Sequence, residues 1–317
     1  MWIPDAWLIG DPHIGIDFDN RGTPLHRRGE RRASQFQQLA EELAKDVTLN
    51  VMVGDLFDKP VVPQKLLYKT YTLYRDAALA RPQTTFVLLA GNHDVPREKM
   101  DAVTGEPNLG SIHSLKEMLR WLPNVRVVME PEIIGDIAFF PWEWGVTALE
   151  QVNGPLPNTA VGHWDIVSFG GDDSHLCPVN RLQDHGIDKI ITGHYHLSGD
   201  YGPVFCTGSL QPYTHAEDPN GTMYRTLTLA ELEVADPAEI RDLNIRVLLA
   251  PGEVIPDNID CLSLTKKRLD EEGSDTSLIE VNLGDFKLTS ALDRHLHEQE
   301  VPTGIQNQIK ERLGVTD

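Results

Sequence analysis

Short apolar runs with the same polar ending recur along the chain. Five times such a run meets a glycine, and an Asp, Asn or His follows. The apolar part predicts a buried strand, and the glycine predicts a tight turn at its end. One such turn is ordinary, because a polar residue after glycine is a common helix cap. Five of them, all ending in oxygen or imidazole side chains, indicate a site built at the ends of strands. The five segments are residues 8–13, 51–58, 87–94, 160–165 and 190–196.

The intervals between the first three apolar runs show helical periodicity. Apolar residues recur at helical spacing over residues 33–45 and 64–80, which predicts one helix in each interval. Strands that alternate with helices predict a mostly parallel sheet with right-handed crossovers. The same criteria predict further helices at 111–121 and 179–185, a hairpin across 132–140 that turns at Gly135-Asp136, and strands at 6–9, 85–89, 126–129, 159–161, 189–192, 204–207 and 223–229.

The pattern changes near residues 231–236, and the segment that follows is acidic with mixed predicted structure. The predicted domains are therefore residues 1–235 and a small α+β domain over 240–317. Within the small domain, strands are predicted at 246–249 and 278–283, and helices at 290–299 and 305–313.

Composition and charge narrow the class of protein. The 317 residues are 40% hydrophobic, which is ordinary for a globular protein, and carry a net charge of −20. This acidic balance argues against an extended grip on nucleic acid, which usually needs a basic face. No apolar run approaches the roughly 18–20 residues of a membrane span, and the first residues lack the basic start of a signal peptide. Three scattered cysteines indicate free thiols, so we expect a cytoplasmic protein with no membrane partner.

Two local features each allow two interpretations. The arginine cluster between residues 21 and 32, which Glu30 interrupts, is either a solvated helix start or a loop that contacts phosphate beside the site. Trp142 and Trp144 are either packed at the rim of the site or form a platform on which bases stack.

The polar residues at the strand ends suit divalent metal ions. They offer carboxylate, amide and imidazole donors without cysteine, and this set fits Mn²⁺, Fe²⁺ or Zn²⁺ better than a structural thiolate zinc site. Six or more ligands are too many for one ion with open positions. Two ions bridged by a carboxylate fit better, and such a pair, about 3.5–4 Å apart, clamps the attacking and leaving oxygens of a phosphoryl displacement.

Five motifs carry these donors. They are Asp11-x-His13, Gly54-Asp55-x-x-Asp58, Gly91-Asn92-His93-Asp94, Gly162-His163 and Gly193-His194-x-His196. The set resembles the motifs of the calcineurin-like metallophosphoesterases. The resemblance covers about residues 6–215 and implies an α/β fold, a two-sheet β-sandwich flanked by helices, followed here by the small α+β cap domain. It implies that Asp55 bridges two metal ions.

The resemblance also implies a role for each residue. Beside Asp55, one ion would be held by Asp11, His13 and His196, and the other by Asn92, His163 and His194. His93 would face the scissile phosphate as general acid or charge stabiliser. Asp94 would orient His93, and Asp58 would support the loop from behind the ligands.

Within that superfamily the chain is most similar to the SbcD-like nuclease subunits of DNA double-strand-break repair complexes. The similarity rests on Pro63 shortly after Asp58, on the spacing from Asp11 to the first helix, and on the loop of residues 208–212, Gly-Ser-Leu-Gln-Pro. It implies a Mn²⁺-dependent DNA exonuclease, with endonuclease activity also open, in DNA repair, recombination and replication. Mg²⁺, Fe²⁺ and Zn²⁺ are the other candidate ions. The implied partners are DNA, an SMC-like ATPase subunit of the SbcC type, and a second copy paired through the helix at 64–80.

The chain departs from this subfamily in its short length and its acidic tail, and a long segment for docking the ATPase is not evident. Such compactness would suit a phage or small bacterial version, and a phage-encoded protein would act in the host cytoplasm. The alternative function is a phosphoesterase of the same superfamily that acts on a small phosphodiester, a nucleotide or a phosphoprotein. A non-catalytic scaffold is disfavoured, because no ligand of the set is missing.

Overall fold

The structure is a computed structural model that describes residues 3–19, 22–166, 173–256 and 259–269. The chain divides into two compact units, Met1–Val247 with Pro256–Thr265, and Leu248–Ile255 with Lys266–Asp317. All site residues belong to the first unit. The strand predicted at 278–283 and the helices predicted at 290–299 and 305–313 lie outside the described residues, so the boundary between the domains 1–235 and 240–317 stays a prediction.

A parallel sheet of four strands forms one layer of the first unit. Its strands are β1 (Ala6–Ile9), β2 (Leu49–Met52), β3 (Thr85–Leu89) and β4 (Val125–Val128). They lie side by side in chain order, and each neighbouring pair is parallel. The prediction of a parallel sheet is confirmed here, and the carboxyl ends of all four strands lie at one edge.

A mixed sheet of six strands forms the second layer. Its strands are β5 (Glu132–Ile134), β6 (Ile137–Phe140), β7 (Thr159–Gly162), β8 (Lys189–Thr192), β9 (Gly199–Tyr201) and β10 (Val204–Cys206). The order across the sheet is β5-β6-β7-β8-β10-β9. The four middle strands are parallel, and β5 and β9 are antiparallel to their neighbours. The predicted hairpin is the β5–β6 pair.

Alternating side chains pack the two sheets face to face. From β2, Val51 lies in a core shared by both sheets, whereas the next residue, Met52, lies in a core shared with helices. From β7, Val161 lies in the shared core and Ala160 on the opposite face. All four side chains are buried. The runs therefore look uniformly apolar in the sequence because both faces of each strand are covered.

Helices cover the outer faces and complete four layers. Their apolar residues share one buried cluster with the first sheet and a separate cluster with the second sheet. This arrangement confirms the prediction of a two-sheet sandwich flanked by helices. The first sheet is covered by α1 (Glu30–Leu43), α2 (Gln64–Ala80) and α3 (Ser111–Leu119), and the second by α4 (Ala148–Gln151) and α5 (Val179–Asp184).

The last described part of the chain forms a third, smaller sheet. Thr228 and Asp236 cap two short helices here, because each side chain accepts a hydrogen bond from the helix's first turn. The elements are β11 (Tyr224–Thr228), α6 (Leu229–Val234), α7 (Pro237–Ile240), β12 (Asn244–Leu249) and β13 (Ser263–Arg268). The three strands form the sheet in the order β11-β12-β13.

None of the helices in the described residues is long and apolar enough to cross a membrane. The three cysteines are free and buried, as predicted.

Candidate metal centre

The predicted ligands lie on loops at the carboxyl ends of five parallel strands, where the edges of the two sheets meet. The contact between the sheets is direct: His163 Nδ1 donates to the Val53 carbonyl oxygen at 2.9 Å, and the His194 N–H donates to Asp11 Oδ2 at 2.8 Å. The structure brings all seven predicted ligands to this edge. Asp11 and His13 follow β1, Asp55 follows β2, Asn92 follows β3, His163 follows β7, and His194 and His196 follow β8.

Asp11, His13 and His196 form a first cluster of donor atoms. One donor from each lies within 4.8 Å of the others. The Nε2 atoms of His13 and His196 are 3.0 Å apart, and His196 Nε2 is 3.9 Å from Asp11 Oδ2. Asp11 and His13 are buried and His196 is half-buried. Converging nitrogen and oxygen donors of this kind can hold a divalent cation.

Asp55, His163 and His194 form a second cluster, and Asn92 joins it. His163 Nε2 lies 3.3 Å from Asp55 Oδ2. The Asn92 Oδ1 atom lies 3.1 Å from His163 Nε2 and 3.0 Å from His194 Nδ1. These distances identify Nε2 of His163 and Nδ1 of His194 as the atoms that face the cluster.

Asp55 belongs to the second cluster and also lies against the first. Its Oδ2 atom is 3.3 Å from His163 Nε2 in the second cluster and 3.6 Å from His13 Nε2 in the first. Its Oδ1 atom accepts the backbone N–H of His93 at 2.8 Å, which fixes the carboxylate. This is the placement that a bridging ligand requires.

The electrostatics of the clusters fit cations. Asp11 Oδ1 is buried with no hydrogen-bond partner among the described residues, a costly state that a bound cation relieves. Burial raises the pKa of Asp11 to about 7. Burial lowers the pKa of His13 to about 3, so its imidazole is neutral and can act as a ligand.

The electrostatics of the site also favour a positive charge next to Asp55. Burial alone would lower the pKa of His163, but the charges of Asp55 and Asp11 outweigh it and raise that pKa to about 10. Burial alone would raise the pKa of Asp55, but the neighbouring His163 holds it below its usual range. Asp55 and His163 would hold a divalent cation, which would supply the charge that a proton on His163 otherwise carries.

Two carboxylates that sequence reasoning missed lie behind the histidines. Asp165 Oδ1 is 2.8 Å from His194 Nε2, and Glu217 Oε2 is 3.2 Å from His196 Nδ1. Asp165 could have been suspected, because it follows His163 by two residues in the fourth run. Glu217 carries no such signal, because it lies in a short 3-10 helix (His215–Glu217) beyond all the recurrent runs.

The contacts of His93 differ from the expected roles in one respect, because Asp58 and not Asp94 contacts its ring nitrogen. Its Nδ1 donates to the Asp58 carbonyl oxygen at 2.7 Å, and its ring lies 4.8 Å from that of His13, centroid to centroid. The buried Asp94 carboxylate instead accepts the backbone N–H groups of Leu56, Phe57 and Gly91, at 3.1, 2.8 and 2.9 Å. Asp94 thus joins the two loops that carry Asp55 and His93, and Asp58 makes the direct contact that orients His93. A catalytic role for either His93 or Asp94 stays a prediction.

Backbone strain is concentrated at the same residues. His13, Asp55 and His194 have left-handed φ angles of 46°, 50° and 72°, and among the described residues only Asp5 is another non-glycine residue of this kind. Such conformations cost about 1–3 kcal/mol each and persist where surrounding contacts enforce them. Three candidate ligands in strained conformations are typical of a functional site.

Gly54 makes room for His163, and its replacement should show this. An alanine Cβ at Gly54 would overlap the His163 ring, and φ there is +112°. We expect Gly54→Ala to lower the free energy of unfolding by more than about 1 kcal/mol, measured by chemical denaturation without metal. Gly186→Ala is the control, because φ there is +82° but no described atom lies within 4 Å of the added Cβ. Equal losses in the two variants would contradict the contact.

Trp142 fits the packing interpretation. It is 7% exposed, and its indole stacks on His175 with 3.7 Å between ring centroids. Its other near neighbours are His194 and Trp144, each at 5.3 Å between centroids. A tryptophan enclosed in this way supports a ligand loop and presents little surface to a base.

Trp144 lines a cavity beside the site. It is half-buried, and its Nε1 donates to the Val95 carbonyl oxygen at 3.3 Å. The cavity has a volume of about 780 Å³, and Trp142, Trp144, Leu109 and Met129 provide apolar walls. Its size falls in the range of small-molecule sites.

The arginine cluster is partly buried, which neither sequence interpretation anticipated. Arg27 donates to Glu30 and Asp242 at 2.7 and 2.8 Å. Arg31 lies against the rings of Phe18 and Tyr224, 4.9 and 5.1 Å from their centroids. Arg27 is therefore held by ion pairs within the protein, whereas Nε and Nη1 of the buried Arg31 have no hydrogen-bond partner among the described residues. Contact of the cluster with phosphate stays a prediction.

The sandwich and the two donor clusters at its shared edge define a metal-dependent phosphoester hydrolase. The chain belongs to the calcineurin-like phosphoesterase family, whose model matches residues 6–198. A comparison with curated proteins finds no match.

Proposed function

We propose that the protein is an SbcD-like DNA nuclease that depends on two divalent ions, with Mn²⁺ preferred. It would act mainly as an exonuclease, with endonuclease activity as a second mode, in DNA repair, recombination or replication. The observation that carries this proposal is the set of seven donors in two clusters, with Asp55 Oδ2 within 3.6 Å of a histidine of each cluster. The setting of the loop at 208–212 supports the nuclease assignment within the family.

That loop, by which the sequence resembles SbcD-like nucleases, contacts the first ligand. Ser209 pairs with Asp11 in a parallel bridge, and the Leu210 N–H donates to the Asp11 carbonyl oxygen at 3.1 Å. Beyond the loop, the Tyr213 hydroxyl donates to the same oxygen at 3.0 Å. The loop therefore supports the ligand loop after β1.

The geometry suggests a role for the ions, for Asp55 and for His93. Bound ions would lower the pKa of a water to near neutral and stabilise charge on the phosphate oxygens. Asp55 would bridge both ions and offset part of their positive charge. Half-buried His93, fixed through Nδ1 on the Asp58 carbonyl, would direct Nε2 towards the phosphate and donate a proton or a hydrogen bond there.

The alternative substrate is a small phosphodiester, a nucleotide or a phosphoprotein. Three observations favour it: the net charge of −20, the internal use of Arg27 and Arg31, and the cavity of about 780 Å³ beside the site. That cavity would accept a nucleoside-sized group.

The partners are proposals as well: DNA, an SMC-like ATPase and a second copy of the chain. Support for a homodimer comes from α2, where Tyr68 and Leu79 are 58% and 56% exposed. Tyr68 also lines a groove of about 400 Å³ with Leu67 and Met118. Light scattering of the purified protein measures the oligomeric state.

Nuclease and small-ester activities are separated by their response to salt. We expect Mn²⁺-dependent cleavage of linear double-stranded DNA whose kcat/KM falls about 40-fold between about 50 and 200 mM salt, if about three phosphates are contacted. Hydrolysis of bis-p-nitrophenyl phosphate, which has one phosphate, should change little. His93→Ala is the control for contaminating nucleases. Hydrolysis of the small ester with DNA untouched would contradict the nuclease proposal and favour the alternative.

A further inference from the structure

We propose that Asp165 and Glu217 are positioning residues, each of which holds a histidine ligand of a different metal ion. Asp165 would set the affinity of the ion in the second cluster, and Glu217 that of the ion in the first. This inference rests on the metal binding in the proposed function. It does not depend on whether the substrate is DNA or a small ester.

The second cluster fixes the direction of His194. Its Nδ1 is 3.0 Å from Asn92 Oδ1, so this nitrogen is the one that would face a bound ion. Its Nε2 must then carry the hydrogen, which it donates to Asp165 Oδ1 at 2.8 Å. Asp165 is anchored in turn, because its N–H donates to the His175 carbonyl oxygen and its carbonyl accepts the Cys177 N–H, at 3.0 and 2.8 Å.

The first cluster shows the same arrangement with the opposite ring nitrogen. His196 Nε2 is 3.0 Å from His13 Nε2 and would face a bound ion, so Nδ1 donates to Glu217 Oε2 at 3.2 Å. Both oxygens of Glu217 are held independently of His196. Oε2 also accepts the Tyr213 N–H at 2.8 Å, and Oε1 accepts the Thr214 hydroxyl at 3.0 Å.

The other two histidine ligands have weaker support. His163 Nδ1 donates to a neutral acceptor, the Val53 carbonyl oxygen. His13 Nδ1 has no hydrogen-bond partner among the described residues, and the Asp58 Oδ1 atom that pairs with it is 3.9 Å away. Each cluster thus has one histidine with a carboxylate oxygen at hydrogen-bond distance from its outer nitrogen. A carboxylate that accepts the imidazole N–H fixes the tautomer and makes the other ring nitrogen a stronger electron-pair donor to a metal ion. Loss of such a carboxylate typically weakens metal binding by about 10–100-fold.

The two effects should be separable, because the two clusters have no histidine in common and Asp55 lies between them. The test is titration of metal-free protein with Mn²⁺, followed by calorimetry and by electron paramagnetic resonance, which distinguishes a coupled pair of ions from a single ion. Wild type should bind two ions. Asp165→Asn and Glu217→Gln should each weaken one ion by about 10–100-fold and leave the other unchanged. At a Mn²⁺ concentration that fills both wild-type sites, each variant should show the uncoupled spectrum.

Double variants assign the ions. Adding Asp165→Asn to His194→Ala should cost no further affinity, whereas adding it to His196→Ala should weaken the remaining ion. Glu217→Gln should behave in the reverse way. Asp188→Asn and Glu233→Gln, at exposed positions, are matched controls that should bind as wild type does. The conservative variants Asp165→Glu and Glu217→Asp keep the charge and should recover part of the affinity.

Several results would overturn the inference. They are wild-type affinity for both ions in Asp165→Asn and Glu217→Gln, equal weakening of both ions in each variant, or a fall in the metal-free unfolding temperature that accounts for the loss. Failure of the wild type itself to bind metal is a different result, because it would remove the proposed function as well.

Discussion

Asp55→Asn should bind little Mn²⁺ and hydrolyse neither DNA nor a small phosphodiester. Its Oδ2 atom serves both clusters, at 3.6 Å from His13 Nε2 and 3.3 Å from His163 Nε2. Asparagine keeps the shape of the side chain and tolerates the left-handed backbone at this position, but it removes the charge that both ions need. Because the ions contribute several kcal/mol to the transition state, we expect kcat/KM to fall by roughly 10³-fold or more.

The measurement is elemental analysis together with hydrolysis rates. Asp188→Asn, the same chemical change at an exposed position, should retain both metal and activity. The fold of metal-free Asp55→Asn should survive, since the substitution removes a buried carboxylate whose charge is costly to desolvate. Two bound ions with a wild-type rate would show that Asp55 does not bridge.

Much of the fold was predictable, because it depends on local patterns. The helix predicted at 64–80 has the same bounds as α2. The helix predicted at 33–45 begins earlier, at Glu30. The start of the helix buries the polar side chains of Arg31 and Gln35, and hydrophobic periodicity does not detect buried polar residues. The short helices α4 and α7 were missed, since four residues cannot show a helical period, and the six-residue α6 was missed as well.

The ligands were predictable for the same reason, and their supports were not. Each ligand follows a strand end by a few residues, so one short motif contains both the structural and the chemical signal. Arg27 is different. It is buried because it meets Asp242, which lies far away in the chain, and arginine is ordinarily exposed. The contact between His196 and Glu217 likewise depends on tertiary structure, since the intervening residues contain no recurrent motif.

His93→Ala should keep its metal and lose turnover. In the structure the Asp58 carbonyl fixes His93 through Nδ1, and the ring lies beside that of His13. His93 adds its backbone N–H, not its side chain, to the contacts of Asp55, so removal of the imidazole leaves the bridging carboxylate in place. Removal of a general acid typically costs about 10²–10⁴-fold in kcat, and we expect a loss in this range for DNA.

The leaving group separates the two roles open to His93. A general acid matters most when the departing oxygen is basic, as a DNA alkoxide is, and least for p-nitrophenolate. If His93 donates a proton, His93→Ala should lose much more activity on DNA than on bis-p-nitrophenyl phosphate, with metal content unchanged. Equal losses on both substrates would assign it instead to stabilising charge on the phosphate. A wild-type rate on DNA would remove His93 from the mechanism, and the Asp58 carbonyl contact would then have only a structural role.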